Sequence, residues 1–179
     1  MRKLAENNPT ELINVLNERL CFERSGVRLY DAILAKIRLP ENQRFATMLD
    51  QLLEHREQEK EHEEWLEQQI RSLGGDAHGE TELSRLVEAE SAGIERIVLN
   101  GDPEIPHLLH ALLAAELVDN EGWVLLVNLA KKAGDRDAKR EFSKRLAEEE
   151  THLKLLERAM TQLQREKVLG EPAELPSSP

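Results

Sequence analysis

Two glutamate–histidine pairs inside apolar helical stripes constrain the fold of this chain more than any other feature. Glu59 and His62 are three residues apart, and so are Glu149 and His152. Side chains at this spacing lie one above the other on the same face of an α-helix. Both pairs share that face with leucines and other apolar residues, so we expect both to be buried. A buried charge is costly unless it is paired, hydrogen-bonded or bound to a metal ion.

The position of these pairs is more informative than their number. With 28 Glu and six His in the chain, Glu-x-x-His spacings arise readily by chance. A third such pair, Glu104 and His107, encloses Pro106 and lies off the apolar stripe. We interpret it as the exposed start of a helix. Only the two pairs on apolar stripes are therefore candidates for a site.

The composition favours one domain built from long amphipathic helices. The chain has 179 residues, enough for a sizeable core, and 33% of them are charged. A net charge of −11 without a basic cluster argues against a nucleic-acid-binding face. The single cysteine, Cys21, excludes an intramolecular disulfide, a zinc ribbon and a rubredoxin-type iron site. No signal peptide or membrane span is recognised, so we expect a cytoplasmic protein without a membrane partner.

Apolar residues three and four apart predict four long helices. Asn8 is the predicted N-cap of the first helix, Pro9 is its first residue and Pro40 ends it. The second helix is predicted from about residue 41 to Gly74, the third from about 102 to Gly134, and the fourth from there to about 168. The inward residues are, helix by helix, Ile13, Leu16, Leu20, Glu23, Val27, Tyr30, Leu34 and Ile37; Phe45, Met48, Leu52, His55, Glu59, His62, Leu66 and Ile70; Leu109, Leu112, Glu116, Asp119, Trp123, Leu126 and Ala130; and Phe142, Leu146, Glu149, His152, Leu156, Met160 and Leu163.

A long connection, residues 74–103, separates the two helix pairs. It is predicted to be helical from about residue 80 to 100, with Gly93 as a candidate break. A connection of this length lets the third helix run parallel to the second. The predicted organisation is an N-terminal extension (1–8), a bundle (9–169) and a disordered Pro-rich tail (170–179).

The two halves of the chain repeat each other. Glu23 precedes Tyr30 by seven residues, and Glu116 precedes Trp123 by seven. In each half, a helix with one inward glutamate is followed by a helix with Glu-x-x-His. Together they offer the ligand set of a dinuclear iron or manganese centre in a four-helix bundle. The candidate metal ligands are Glu23, Glu59, His62, Glu116, Glu149 and His152, which leaves Glu148 and Glu150 as predicted surface residues.

The chain resembles the ferritin-like superfamily of di-iron carboxylate proteins, which includes bacterioferritins and rubrerythrins. The resemblance spans roughly residues 9–168. It is carried by Leu16-Asn17-x-x-Leu20-x-x-Glu23 with Tyr30, Glu59-x-x-His62, Ala115-Glu116-Leu117 with Trp123, and Glu149-x-x-His152. It implies an all-α fold: an antiparallel four-helix bundle with a long helical crossover between helices 2 and 3. By the family pattern Glu23 and Glu116 are single-carboxylate ligands. Glu59 and Glu149 bridge the metals, and each histidine binds one metal.

For several residues near the predicted ligands, the sequence allows more than one role. Tyr30 matches a tyrosine near the bacterioferritin centre, so it is a candidate redox residue or a core residue. His55, Asp119 and Trp123 are expected to lie behind the ligands. For His55 the alternatives are a core histidine or a ligand, and for Asp119 an alternate ligand or a polar rim residue. Lys60 occupies the position of the haem-ligating Met of bacterioferritins, so no haem is expected.

The resemblance implies two bound iron ions, with manganese or a mixed Mn/Fe pair as alternatives. Oxygen or peroxide is the expected reaction partner, in a ferroxidase- or peroxidase-type oxidation, and a homodimer is the candidate assembly. Two other functions remain open at this point: a non-catalytic ferritin-like interaction module and an iron-storage subunit.

Overall fold

The computed structural model is all-α and describes residues 1–177, apart from the side chains of Ile97 and Asn100. No β-strand occurs among these residues. The helices are α1 (Arg2–Ala5), α2 (Pro9–Ile37), a 3₁₀ helix (Pro40–Met48), α3 (Leu49–Ser72), α4 (Glu82–Asn100), α5 (Ile105–Ala133) and α6 (Arg136–Leu169).

Four long helices enclose the core. Helix α2 packs along α3 and α5 packs along α6, while further contacts join α2 to α5 and α3 to α6. Short connections make α2 and α3, and likewise α5 and α6, antiparallel neighbours. Helix α4 is the crossover and lies against α2 and α5, outside the four. The predicted four-helix bundle with a helical crossover is confirmed.

The second long helix begins later than the sequence pattern predicts. Residues 40–48 form a 3₁₀ helix and α3 starts only at Leu49. The buried apolar face continues through this segment because residues three apart align on a 3₁₀ helix, which has three residues per turn. Phe45 and Met48 are therefore both buried. The side-chain amide of Asn42 donates to the carbonyl of Lys36, 2.9 Å away, and closes the turn that leads into this segment.

The crossover helix is continuous. Thr81 and Ser84 form a capping box at its start, with the Thr81 hydroxyl accepting the Ser84 N–H at 3.0 Å. The helix continues through Gly93, so the candidate break there is wrong. It ends at Gly101. Among residues 1–177, none of the helices has the length and apolar character needed to cross a membrane.

Two apolar clusters fill the bundle at different levels. One cluster includes Ile33, Met48, Leu52, Leu109 and Leu156. The other includes Leu16, Leu20, Leu66, Trp123 and Phe142. The charged candidate ligands lie on the same helices between these two levels. Past α6, Leu175 packs against the first cluster. The predicted tail disorder also covers residues 178 and 179, which lie outside the described residues.

Asp135 holds the N-terminal residues against the bundle. Its Oδ1 accepts the N–H of Ala138 at 3.1 Å and caps α6. Its Oδ2 accepts the N–H groups of Lys3 and Leu4 at 3.0 and 3.3 Å. One buried carboxylate thus satisfies three backbone donors that belong to two helices.

We predict that Asp135→Ala lowers the free energy of unfolding by about 2 kcal/mol, because it removes a helix cap and the partly buried acceptor of two further backbone donors. The matched control is Asp137→Ala, in the first turn of the same helix, where the side chain is exposed. It should change stability by less than about 0.5 kcal/mol. Urea denaturation compares the two variants, and equal effects would contradict this role of Asp135.

Candidate metal centre

Six buried side chains from four helices meet between the two apolar clusters. Helices α2 and α5 contribute Glu23 and Glu116, and α3 and α6 contribute a glutamate and a histidine each. The ligand atoms form two overlapping groups, each within a span of 4.8 Å. The first group is Glu23, Glu59, His62 and Glu149, and the second is Glu59, Glu116, Glu149 and His152. The structure therefore brings together all six residues that the pattern selected, and Glu59 and Glu149 belong to both groups.

The Nδ1 atom of each histidine faces the carboxylates. His62 Nδ1 lies 2.9 Å from an oxygen of Glu149 and 3.3 Å from Glu23 Oε2. His152 Nδ1 lies 3.1 Å from Glu59 Oε1, and 3.3 and 3.4 Å from oxygens of Glu149 and Glu116. Each imidazole thus points into a cage of carboxylate oxygens contributed by three helices.

Many of these inward atoms lack a hydrogen bond despite their proximity. Considering all residues that the structure describes, seven buried ligand atoms have no hydrogen-bond partner. They are Glu23 Oε2, Glu59 Oε1, His62 Nδ1, Glu116 Oε2, both oxygens of Glu149 and His152 Nδ1. Buried polar atoms in folded proteins are nearly always satisfied. Because oxygen and imidazole nitrogen are donors for iron and manganese, this set fits two such ions.

The outer nitrogen of each histidine is held by the opposite helix. His62 Nε2, on α3, lies 2.9 Å from Glu148 Oε2 on α6. His152 Nε2, on α6, lies 2.8 Å from Gln58 Oε1 on α3. Such a contact fixes the tautomer so that Nδ1 is free to bind a metal.

The predicted surface position of Glu148 is therefore wrong, because its side chain is mostly covered and contacts His62. Gln58 was not selected by the pattern either. Both residues directly precede a candidate ligand, Glu59 or Glu149, and that position is the signal that could have found them. Glu150 is exposed.

Two aromatic side chains hold the glutamates of α2 and α5. Tyr30 on α2 donates its hydroxyl to Glu116 on α5, at 2.6 Å. Trp123 on α5 donates its indole N–H to Glu23 on α2, at 2.9 Å. Each aromatic residue therefore orients the carboxylate of the other half of the chain, and all four side chains are buried.

His55 and Asp119 are buried beside the centre but belong to neither ligand group within residues 1–177. The ring of His55 lies 4.2 Å from that of His152, centroid to centroid. Burial and then His152 lower the pKa of His55 to about 3, so this ring is neutral. Asp119 accepts a hydrogen bond from Arg19 at 2.8 Å, and both residues are buried, which excludes the exposed-rim alternative for Asp119.

Glycine 26 occupies an inner position that the pattern assigned to Val27. Val27 is only half-buried, whereas Gly26 is buried next to Glu59. A Cβ atom at residue 26 would lie 2.0 Å from Glu59 Oε2. The prediction for Val27 is therefore wrong, and the reason is steric: the carboxylate of Glu59 needs the space that a side chain would fill.

Burial and mutual repulsion shift the titration of the centre. Burial, followed by Glu149 and Glu116, raises the pKa of Glu59 well above its ordinary value. Burial alone would lower the pKa of both histidines. The carboxylates around them, led by Glu23 at His62 and Glu116 at His152, instead raise the pKa of each histidine well above its ordinary value. The carboxylates therefore favour the protonated form of both imidazoles in the metal-free centre.

No protein-family model and no curated protein sequence matches this chain. A solved structure does: a crystal structure of ferritin-like, diiron-carboxylate proteins from Bacillus anthracis str. Ames. The TM-score is 0.67 and the match covers 87% of this chain and 99% of that one. This fold is ferritin-like. The two chains are 17% identical, so the ferritin-like match shows the fold, and the chemistry of the centre rests on the residues described above.

We predict that the metal-free ferritin-like bundle loses stability as the pH rises above about 6.5, the ordinary pKa of histidine. Above it, the unfolded chain has released protons that folded His62 and His152 retain, so the free energy of unfolding falls. Burial raises the pKa of Glu116 to about 7, so this carboxyl group adds to the fall up to about that pH. The slope is about 1.4 kcal/mol per pH unit for each retained proton. His55 does not oppose the trend, because above this pH it is neutral in both states.

Urea denaturation of chelator-treated protein at several pH values between about 6.5 and 8.5 measures this slope. His107→Gln, a change at an exposed histidine, should leave the slope unaltered. A free energy of unfolding that is constant or increases over this interval would show that the imidazoles are not protonated in the folded chain.

Proposed function

We propose that the chain binds two metal ions, and that iron is the natural metal, with manganese or a mixed Mn/Fe pair as alternatives. The convergence of six buried side chains into two ligand groups, each within a span of 4.8 Å, supports this proposal most directly. The fold likeness to a protein described as diiron-carboxylate agrees with it. In this assignment Glu59 and Glu149, which belong to both groups, would contribute to holding both ions. Glu23 with His62, and Glu116 with His152, complete the two sites.

The reaction that we propose is a ferroxidase- or peroxidase-type oxidation by oxygen or peroxide. Bound iron would supply the one-electron chemistry that such a reaction needs. Glu23 and Glu116 would keep their orientation through Trp123 and Tyr30. The hydroxyl of Tyr30 is the protein group best placed for a redox role, because it lies 2.6 Å from Glu116 and is fully buried.

An exposed apolar stripe on α5 supports the proposed homodimer. Leu117, Leu125 and Leu129 are all exposed, and they lie on one side of the helix. Large exposed apolar residues at helical spacing are typical of an interface. A homodimer would leave the chain without the closed cage that an iron-storage subunit requires.

Metal content tests the proposal. We expect about two iron or manganese ions per chain after anaerobic reloading, measured by elemental analysis. Glu59→Ala combined with Glu149→Ala should abolish loading, because both shared carboxylates are lost. The matched control is Glu57→Ala with Glu150→Ala, which changes one exposed residue on each of the same two helices. Wild-type protein that takes up no metal would leave the non-catalytic interaction module as the function. Two ions in the double variant would refute the ligand assignment.

A separate prediction concerns the residues behind the histidines. Glu148→Ala should weaken the binding of one of the two ions by about 10- to 100-fold, because His62 loses the contact that orients it. Gln58→Ala should weaken the other ion through His152. Glu150→Ala, the neighbouring exposed position, should bind both ions as wild type does. Competition with a chelator measures both affinities, and a uniform loss at both sites in either variant would contradict this pairing.

A further inference from the structure

We propose that a cavity beneath the crossover helix binds a small, neutral, largely apolar alcohol or phenol beside the candidate metal centre. The cavity has a volume of about 310 Å³ and lies where α4 covers the groove between α2 and α5. Apolar side chains form most of its wall: Phe22, Leu29, Ile94, Leu112, Ala115 and Val118. The cavity reaches Glu59 and Glu116, one carboxylate from the shared pair and one from a single site.

The volume sets the size of the ligand. Small-molecule pockets in proteins range from about 300 to 1,000 Å³, so this cavity lies at the small end. An apolar cavity of about 150 Å³ holds a benzene molecule. By that measure the cavity accommodates about twelve non-hydrogen atoms, which corresponds to one substituted ring or a short branched chain.

A buried carboxylate in the cavity wall indicates which polar group the ligand carries. Asp119 is 5% exposed and lines the cavity. Its Oδ1 accepts the hydrogen bond from Arg19, whereas its Oδ2 is buried and has no hydrogen-bond partner among the residues described. A hydroxyl group satisfies Oδ2 whether it donates or accepts, so one alcohol or phenol group fits this wall.

Charge excludes one class of ligand. Glu59, Glu116 and Asp119 line the inner part of the cavity, and the exposed Glu90 lies in its outer wall. None of the described residues that line the cavity is a lysine, arginine or histidine, so a carboxylate or phosphate ligand would be buried there without a cationic partner. The ligand is therefore neutral rather than anionic.

The crossover helix is fixed over the cavity by polar contacts. Ser25 on α2 donates its hydroxyl to Glu95 on α4 at 2.7 Å, and Arg28 on α2 pairs with the same carboxylate. These contacts hold α4 on the outer side of α2 and leave the space beneath it open. Small residues, among them Gly26 and Ala115, keep that space free of side chains.

The test uses benzyl alcohol as the probe, with toluene and benzoate as comparison molecules. Ser91 lies in the α4 wall of the cavity, whereas its neighbour Ala92 is exposed and does not line it. Ser91→Phe fills the cavity, and Ala92→Phe is the matched control. Calorimetry on metal-free and metal-loaded protein measures binding, and elemental analysis of the same samples measures metal content. Because a phenylalanine at residue 91 can disturb packing, Ala115→Leu is a second filling variant, and thermal melts establish that each variant is folded.

We expect benzyl alcohol to bind wild type and Ala92→Phe equally, and the folded filling variants at least tenfold more weakly. Benzoate should bind wild type at least tenfold more weakly than benzyl alcohol, and toluene should also bind more weakly. Equal binding to the filling variants, or no binding to wild type, overturns the cavity proposal.

A role of the cavity as a substrate site rests on the proposed metal function, whereas its role as a binding site does not. The experiment therefore distinguishes failure of the cavity proposal from failure of the metal proposal. Protein that loads two metals yet binds no probe refutes the cavity and retains the metal function. Protein that binds the probe and takes up no metal retains the cavity as a binding site and refutes the metal function.

Discussion

Burial of four carboxylates in the middle of a helical bundle is the constraint on which the rest of this structure depends. Glu23, Glu59, Glu116 and Glu149 lie between two apolar clusters, where uncompensated charge is strongly unfavourable. The chain compensates in two ways. Two imidazoles lie among the carboxylates, and a donor from the other half of the chain holds the outer side of Glu23 and Glu116. What remains unsatisfied points inward, which is the arrangement that metal ions require.

The supporting contacts cross between the two halves of the chain. Tyr30 supports Glu116, and Trp123 supports Glu23. Glu148 supports His62, and Gln58 supports His152. In each of these pairs the two residues belong to different halves of the chain. Four of the six candidate ligands are therefore held by a residue from the other half of the chain. This reciprocity couples folding to the site, because the carboxylates and imidazoles acquire their orientation only when the two helix pairs dock. The two halves differ in the group behind each histidine: a carboxylate contacts His62, whereas an amide contacts His152.

The ligands could be predicted from sequence because burial on a helix follows a fixed period, and each ligand interrupts an apolar stripe. The residue at which α3 begins and the inner position of Gly26 could not be predicted from sequence. Both depend on local packing that the helical period does not describe. Glu148 was missed for a related reason. It is one of three consecutive glutamates and itself lies off the apolar stripe. Only the packing of α3 against α6 shows that its side chain reaches His62. The pairing of Arg19 with Asp119 is likewise a contact between halves.

The crossover decides from which side the centre can be reached. On the α3–α6 side, the contacts of Glu148 and Gln58 occupy the space behind both histidines. On the α2–α5 side, α4 spans the groove without filling it, and the cavity reaches Glu59 and Glu116. Arg19 of α2 packs closely against α5: its guanidinium lies against Gly122, where a Cβ atom would be 1.9 Å from Nη1. The helix that connects the two halves therefore also forms one wall of the cavity that reaches two of the carboxylates.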